Sequence, residues 1–201
     1  MEKMSNQKLE KVLIEKFQEN VALELEKLAE INYLEDPRAQ QQEGAEAVLD
    51  LVELFKVYGE QISSDNFLNE SEIDSDSSFE LELACLLAKV LIRLRDLQVR
   101  DFALGSITND NLETFLAMWR WIVRIAPTAF LVPVATLLAA TYYEASEPEL
   151  AKISLAKALD ADDQYPLALL LQRVLAADWP PETFATMRSE LHPKVTAAIF
   201  S

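Results

Sequence analysis

The sequence is poor in glycine, cysteine and histidine: its 201 residues include three glycines, one cysteine and one histidine. Three glycines leave little material for phosphate-binding loops, and neither a GxGxxG nor a GxxxxGK[ST] motif occurs. One cysteine and one histidine cannot together form a zinc site, and a single cysteine excludes a disulfide within the chain. These absences argue against dinucleotide-binding, P-loop, zinc-binding and disulfide-stabilised proteins, and neither a metal nor a cofactor is expected.

Basic residues are scarce relative to acidic ones, with 18 lysines and arginines against 34 aspartates and glutamates, which gives a net charge of −16. Such a charge repels phosphate groups, so direct binding to nucleic acid or to an anionic membrane is not expected. Half of the residues are nevertheless hydrophobic, which is enough for a buried core. The N-terminus has no continuous apolar signal segment, and no long uncharged run suggests a membrane span, so a cytoplasmic protein is predicted.

Helical periodicity runs through most of the chain, and no segment shows the sustained alternation of a β-strand. In residues 9–28, apolar side chains recur at steps of three and four, with lysine and glutamate on the opposite face. The pattern predicts about nine helices in an all-α fold: stacked helical hairpins, as a tetratricopeptide-like bundle or a short right-handed solenoid. It divides the chain into N-terminal amphipathic helices (1–62), an acidic flexible linker (63–78) and a C-terminal helical domain (79–201).

Residues 132–165 are similar to one tetratricopeptide repeat, a hairpin of two helices. Small residues recur where the two helices would approach closely: Ala139, Ala151 and Ala158. Ala135 and Asp163 depart from the repeat, which usually has tryptophan and proline at these positions. The positions predicted to line the concave groove of the hairpin, and to contact a protein partner, are Thr136, Ala140, Tyr143 and Glu144. The alternative is an ordinary helix pair in a bundle.

Four arginines are a second candidate set: Arg93, Arg100, Arg120 and Arg124. The first two are seven residues apart and the last two are four apart, so each pair can share a face of a continuous helix. Two interpretations stay open. The arginines either close helix ends and pair with carboxylates such as Asp96, Asp101 or Asp110, or they form a positive recess for a carboxylate-bearing peptide or a phosphate.

The single histidine and the single cysteine give no sign of catalysis. His192 is expected on the surface near the terminus, and Cys85, in an apolar run, is expected to be a buried and inert thiol. No Ser–His–Asp or Cys–His set can be argued, so no catalytic residue and no enzyme activity are predicted. Two signals concern helix ends: Gly105 is predicted to stop one helix, and Ser146 to begin another through a capping box with Glu149.

Four segments, taken in order and spacing, resemble a known family. They are Leu94-Arg95-Asp96-x-x-Val99-Arg100-Asp101, Trp119-x-x-Ile122-Val123-Arg124-x-Ala126-Pro127, Ala156-Lys157-Ala158-Leu159-Asp160-Ala161-Asp162 and Leu175-Ala176-Ala177-x-x-Pro180-Pro181. The family is the actinobacterial domain-of-unknown-function family 4192, and the resemblance is to its C-terminal helical half. It is clearest over residues 83–190 and implies a helical fold without the N-terminal α/β half of longer members. It implies no activity.

The sequence therefore predicts a non-catalytic helical module that binds a protein or peptide partner and acts as a scaffold or adaptor. A regulatory binder of an anionic small ligand or nucleotide, held by the arginines, is the alternative. A weaker alternative is an acidic mimic of nucleic acid that occupies a basic protein. The oligomeric state stays open.

Overall fold

A computed structural model describes the backbone of residues 6–31, 36–63 and 77–201 and the side chains of 14–30, 36–62 and 79–201. Within these ranges the chain forms nine α-helices and no strand, which confirms the all-α prediction. The elements are α1 (Asn6–Ile31), α2 (Pro37–Ser63), α3 (Ser77–Arg93), α4 (Leu97–Gly105), α5 (Leu112–Ile125), a 3-10 turn (Thr128–Phe130), α6 (Leu131–Glu144), α7 (Pro148–Ala161), α8 (Pro166–Ala176) and α9 (Pro181–Phe200).

The predicted linker falls mainly on residues 64–76, which lie outside the described residues. Its first residue belongs to α2 and its last two residues begin α3. The boundaries of the adjoining helices therefore lie close to those predicted from composition.

The N-terminal helices pack around Trp121 of α5. Its ring lies 5.9 Å from that of Phe17 in α1 and 5.5 Å from that of Phe55 in α2, centroid to centroid. α1 and α2 also pack against α3, and one hydrophobic cluster extends from these helices to the start of α9. The N-terminal helices therefore share a core with the segment 79–201.

Gly44 lets α2 cross closely over α3 and α4. A Cβ atom at this position would lie 2.6 Å from Cβ of Arg93 and 2.9 Å from Cγ2 of Val99. Both distances are shorter than a carbon–carbon contact allows. The crossing therefore requires a residue without a side chain.

The central helix of the fold is α6. All side chains from Pro133 to Tyr143 are buried, because no residue between Leu131 and Tyr143 is charged and the helix has no strongly polar face. α5, α7, α8 and α9 pack around it. The side chains of α6 are therefore surrounded by those of other helices.

The connection between α6 and α7 differs from its predicted form. Ser146 has a φ of 61°, and the amide of Glu147 donates to the carbonyl of Tyr142 at 2.9 Å, as in the turn that commonly closes a helix. The N-cap of α7 is Glu147, and no side-chain hydrogen bond caps that helix. Ser146 therefore ends α6, and the predicted capping box with Glu149 is wrong.

Candidate interaction groove

The four predicted groove residues all lie on α6, but inside the molecule. Thr136 and Ala140 have no exposed surface, and Tyr143 is 5% exposed. The hydroxyl of Thr136 donates to the carbonyl of Val132 in its own helix at 2.8 Å. The side chain of Glu144 is 6% exposed. These residues are not surface contacts in this fold, because the neighbouring helices cover α6.

The helix that covers Tyr143 is α9. The Tyr143 ring packs edge-on against Phe184, with 6.1 Å between centroids, and its hydroxyl donates to the carbonyl of Trp179 just before α9. Burial raises the pKa of Tyr143, and the charges of Asp178 and Glu182 add to the effect. The hydroxyl therefore stays protonated and remains a donor at neutral pH.

Glu144 forms a buried ion pair with Arg188 of α9. The guanidinium donates from Nε to Oε1 at 2.6 Å and from Nη2 to Oε2 at 2.7 Å, a bidentate arrangement. Both side chains are 6% exposed. Burial raises the pKa of Glu144, although the Arg188 charge opposes this effect. The pair fixes the middle of α9 to the C-terminal end of α6.

The remaining nitrogen of Arg188 binds the C-terminal end of α4. Nη1 donates to the carbonyl of Gly105 at 3.1 Å and also to the carbonyl of Ile107. The last carbonyls of a helix lack partners within the helix and carry its partial negative charge. A carboxylate, the last carbonyl of α4 and the carbonyl of Ile107 just beyond that helix therefore surround the guanidinium.

The C-terminal end of α9 is held by α2. Arg38 donates to the carbonyl of Ser201 at 3.1 Å, and Gln42 donates to the carbonyl of Ile199 at 3.0 Å. The Ile199 side chain is fully buried in a small cluster with Ala45 and Phe102. α9 is thus anchored near its start, at its middle and at its end.

His192 packs directly on Gly105. A Cβ atom at position 105 would lie 2.3 Å from Nδ1 and 2.9 Å from Cβ of His192, and the imidazole lies 5.3 Å from the Phe102 ring. Gly105 ends α4 as predicted, but without a left-handed φ; its missing side chain serves the close approach of α9. The expectation of a surface histidine is wrong, because α9 turns His192 toward α4, where it is half-buried.

We call the surface that α9 covers the α9 groove. It is formed by α2, α4 and α6. Its residues described above are Arg38, Gln42, Ala45, Phe102, Gly105, Ile107, Tyr143 and Glu144. The α9 groove includes two of the four residues predicted to contact a partner.

Two of the four predicted arginines are buried and neutralised within the fold. Arg93 donates from Nε and Nη2 to Oε2 of Glu43 at 2.8 and 2.5 Å. Arg100 donates from Nε and Nη2 to Oδ1 of Asp101 at 2.9 and 2.6 Å, and its guanidinium lies 5.7 Å from the Tyr165 ring centroid. Burial lowers the pKa of Arg100, but the hydrogen bonds to Tyr165 and Asp101 outweigh it and leave the pKa raised.

The other two arginines are exposed on α5. The guanidinium of Arg120 lies 5.6 Å from the ring centroid of Tyr142, and Arg124 follows one turn later. Arg93, Arg100 and Arg120 thus contact different parts of the fold. The pairing of Arg100 with Asp101 is one that the ion-pair interpretation predicted.

Cys85 is half-buried, and burial raises the pKa of its thiol. Among the described side chains, no three histidine, cysteine, aspartate or glutamate residues come together in a group that could hold a metal ion. Within the same part of the chain, no helix is long and apolar enough to cross a membrane.

Comparison with known protein families identifies the family of this chain. Residues 3–182 match the model of the family described as Domain of unknown function (DUF4192). The chain belongs to this family. The DUF4192 match begins well before residue 83, the start of the segment in which the sequence motifs resemble the family most clearly, and it ends in the first turn of α9. Comparisons with curated proteins and with solved structures gave no significant match.

Arg188 of α9, which binds in the groove, is the functional residue that sequence reasoning missed. It is one of several charged residues in a helix whose apolar face is weak. A signal exists in the spacing of Phe184, Arg188 and His192, which at four-residue steps share one face. Because two of these three residues are polar, the stripe does not resemble a buried helix face.

Proposed function

We propose that this DUF4192 protein is a non-catalytic helical interaction module that binds a helix of a partner protein in the α9 groove. The observation that carries the proposal is the way the groove holds α9. Separate anchors do so: an aromatic contact at Phe184, the ion pair at Arg188 and the apolar contact of Ile199. Grooves that recognise helices use anchors of this kind on one face of the bound helix.

The chemistry of the α9 groove supports a partner helix with a particular pair of side chains. Glu144 and the carbonyls of Gly105 and Ile107 accept four hydrogen bonds from one guanidinium, an arrangement that a lysine ammonium cannot match in geometry. On the bound helix, Phe184 lies about one helical turn before Arg188, and its ring packs against the ring of Tyr143. A partner helix is therefore expected to carry an aromatic residue followed, four positions later, by an arginine.

The charge of the chain supports the same partner class. A net charge of −16 attracts a basic segment and increases its rate of encounter. The arginine alternative has less support, because Arg93 and Arg100 already have carboxylate partners inside the fold. A basic helix is thus favoured over an anionic ligand.

The test is whether partner capture depends on an open α9 groove. A disulfide lock is available in the double variant Gly105→Cys with His192→Cys, made in a Cys85→Ser background. A Cβ at position 105 would lie 2.9 Å from Cβ of His192, so α9 needs to move by about 0.9 Å to reach the usual 3.8 Å of a disulfide. Oxidation closes the groove, and reduction of the same protein reopens it.

Purified protein with a photoreactive residue at Thr108, an exposed position next to the groove, is added to desalted cell extract and irradiated. We expect one partner to be captured after reduction and several-fold less of it after oxidation, and Arg188→Ala should increase the capture. A photoreactive residue at Asp160, exposed on α7, is the control and should capture the same proteins in both states. Equal capture at Thr108 in the locked and open states would contradict the proposal.

A further inference from the structure

α9 makes its packing contacts with distant parts of the chain. It packs most extensively on α4, and also on α2 and α6, all of which precede α8 in the sequence. The family match ends at residue 182, close to where α9 begins. The contacts of α9 therefore do not depend on the path of the short connection that joins it to α8.

We call that connection, residues 177–180, the hinge; like the turn at Ser146, it closes a helix through one left-handed residue. Asp178 has a φ of 49°, and its turn is closed by two long hydrogen bonds, from the amides of Asp178 and Trp179, at 3.3 and 3.4 Å. Trp179 is 43% exposed, and Pro180 is already extended, with φ and ψ of −59° and 135°. A pair of prolines favours an extended chain, so straightening needs a change mainly at Asp178.

We propose that the α9 groove accepts α9 from a second copy of the chain, so that two chains form a two-fold symmetric dimer by exchanging this helix. Three contacts are then formed between chains instead of within one: the Arg188–Glu144 pair, the Tyr143–Phe184 contact and the hydrogen bond from Gln42 to the carbonyl of Ile199. Exchange of an identical element closes into a dimer and creates no unsatisfied group in the groove. The hinge and the protein concentration set the balance between the two forms.

The first experiment uses the double variant Gly105→Cys with His192→Cys in the Cys85→Ser background. Equal amounts of ¹⁵N-labelled and unlabelled protein are unfolded, refolded together at high concentration and oxidised, and the peptides linked between positions 105 and 192 are weighed. Exchange predicts linked pairs with one heavy and one light peptide, approaching half of the total. Pairs of one isotope only, at every concentration, would overturn the proposal. The single variant His192→Cys, which leaves Gly105 unchanged, measures random cross-linking.

The second experiment leaves the groove intact and changes only the hinge. Asp178 is exposed, and a β-branched residue is unfavourable in its left-handed conformation, whereas glycine is favourable. Asp178→Val should therefore strengthen dimerisation, and Asp178→Gly should weaken it, each on the order of tenfold in the dissociation constant measured by sedimentation equilibrium. Monomers throughout, or equal constants for the two variants, would count against exchange.

Helix exchange rests on the same groove as the proposed function, but different measurements test the two proposals. Exchange is read on purified chains by isotope pairing and by mass. Partner binding is read in extract by the identity of a foreign protein. A locked groove that leaves capture unchanged refutes partner binding alone, and linked peptides of one isotope refute exchange alone.

Discussion

At the scale of the residue, buried charge is the main feature of this protein. Arg93, Arg100 and Arg188 each have less than a tenth of their surface exposed, and each has a carboxylate partner. A buried guanidinium without such a partner would be strongly destabilising, so each pairing offsets the cost of burying its arginine. The sequence indicated two of these arginines as candidates but could not show which arginines face inward.

His192 of α9 is one of the residues through which pH acts on the packing of α9 in its groove. Burial lowers the pKa of His192 below its usual value near 6.5, and the neighbouring Arg188 lowers it further. Its Nδ1 is buried, and none of the described residues forms a hydrogen bond with it. An unfolded chain therefore binds a proton near pH 6.5, whereas the folded chain binds it only at lower pH. The free energy of unfolding should decrease as the pH falls below about 6.5.

This pH dependence is measured by urea unfolding between pH 5 and 8, in parallel with His192→Gln, in which the slope should be reduced. The comparison of the two proteins is necessary because Glu144 has a raised pKa and contributes with the opposite sign. A slope that is identical in His192→Gln and in the unmodified protein would contradict the role of this histidine.

At the scale of the element, the packing of α9 on α4 depends on Gly105. In an ordinary helix, replacing glycine by alanine stabilises by about 0.5–1 kcal/mol. Here the added methyl group would overlap the His192 ring, so Gly105→Ala is expected to destabilise the protein.

The sign of this effect should reverse when the whole His192 side chain is removed. A His192→Gly background lacks both the ring and the Cβ that lies 2.9 Å from the added methyl group, so Gly105→Ala should then be neutral or stabilising, as measured by the midpoints of thermal and urea unfolding. Destabilisation of equal size in both backgrounds would mean that His192 is not the obstacle.

Local sequence signals were reliable for the helices and less so for their ends. The steps of three and four residues between apolar side chains predicted the helices, because one face of each helix must be buried. Ser146 fits the sequence pattern of a helix start, yet it adopts the left-handed conformation that ends α6. The choice between these two roles depends on how closely α7 packs against α6. The four-residue pattern of a capping box carries no information about that packing.

At the scale of the whole molecule, one hydrophobic cluster joins the N-terminal helices to the rest. It includes Phe17 of α1, Phe55 of α2 and Phe184 of α9. A division at residue 62 was plausible from composition alone, since seven acidic residues and no basic ones lie between 61 and 82. The charge marks a break in the chain, but the core extends across it.

The shared core predicts a single cooperative unfolding transition. Far-ultraviolet circular dichroism reports on all helices, and tryptophan fluorescence reports on Trp119 and Trp121 in the core, so the two signals should change at the same urea concentration. Trp179→Phe removes the half-exposed indole in the hinge and leaves the core probes alone. Measurements at low protein concentration avoid a contribution from dimers, and midpoints that differ between the two signals would indicate a separately folding part.

The sequence by itself determined the helical class, the family and the regions from which the helices are built, because these depend on local periodicity and on ordered motifs. Only the tertiary structure decided the role of α6 and α9. α9 buries Tyr143 and Glu144, two of the residues predicted to line an open groove, and is held there by a guanidinium that lies 44 residues from its carboxylate partner. Such a contact leaves no local pattern, since its two members lie on different helices that only tertiary packing brings together.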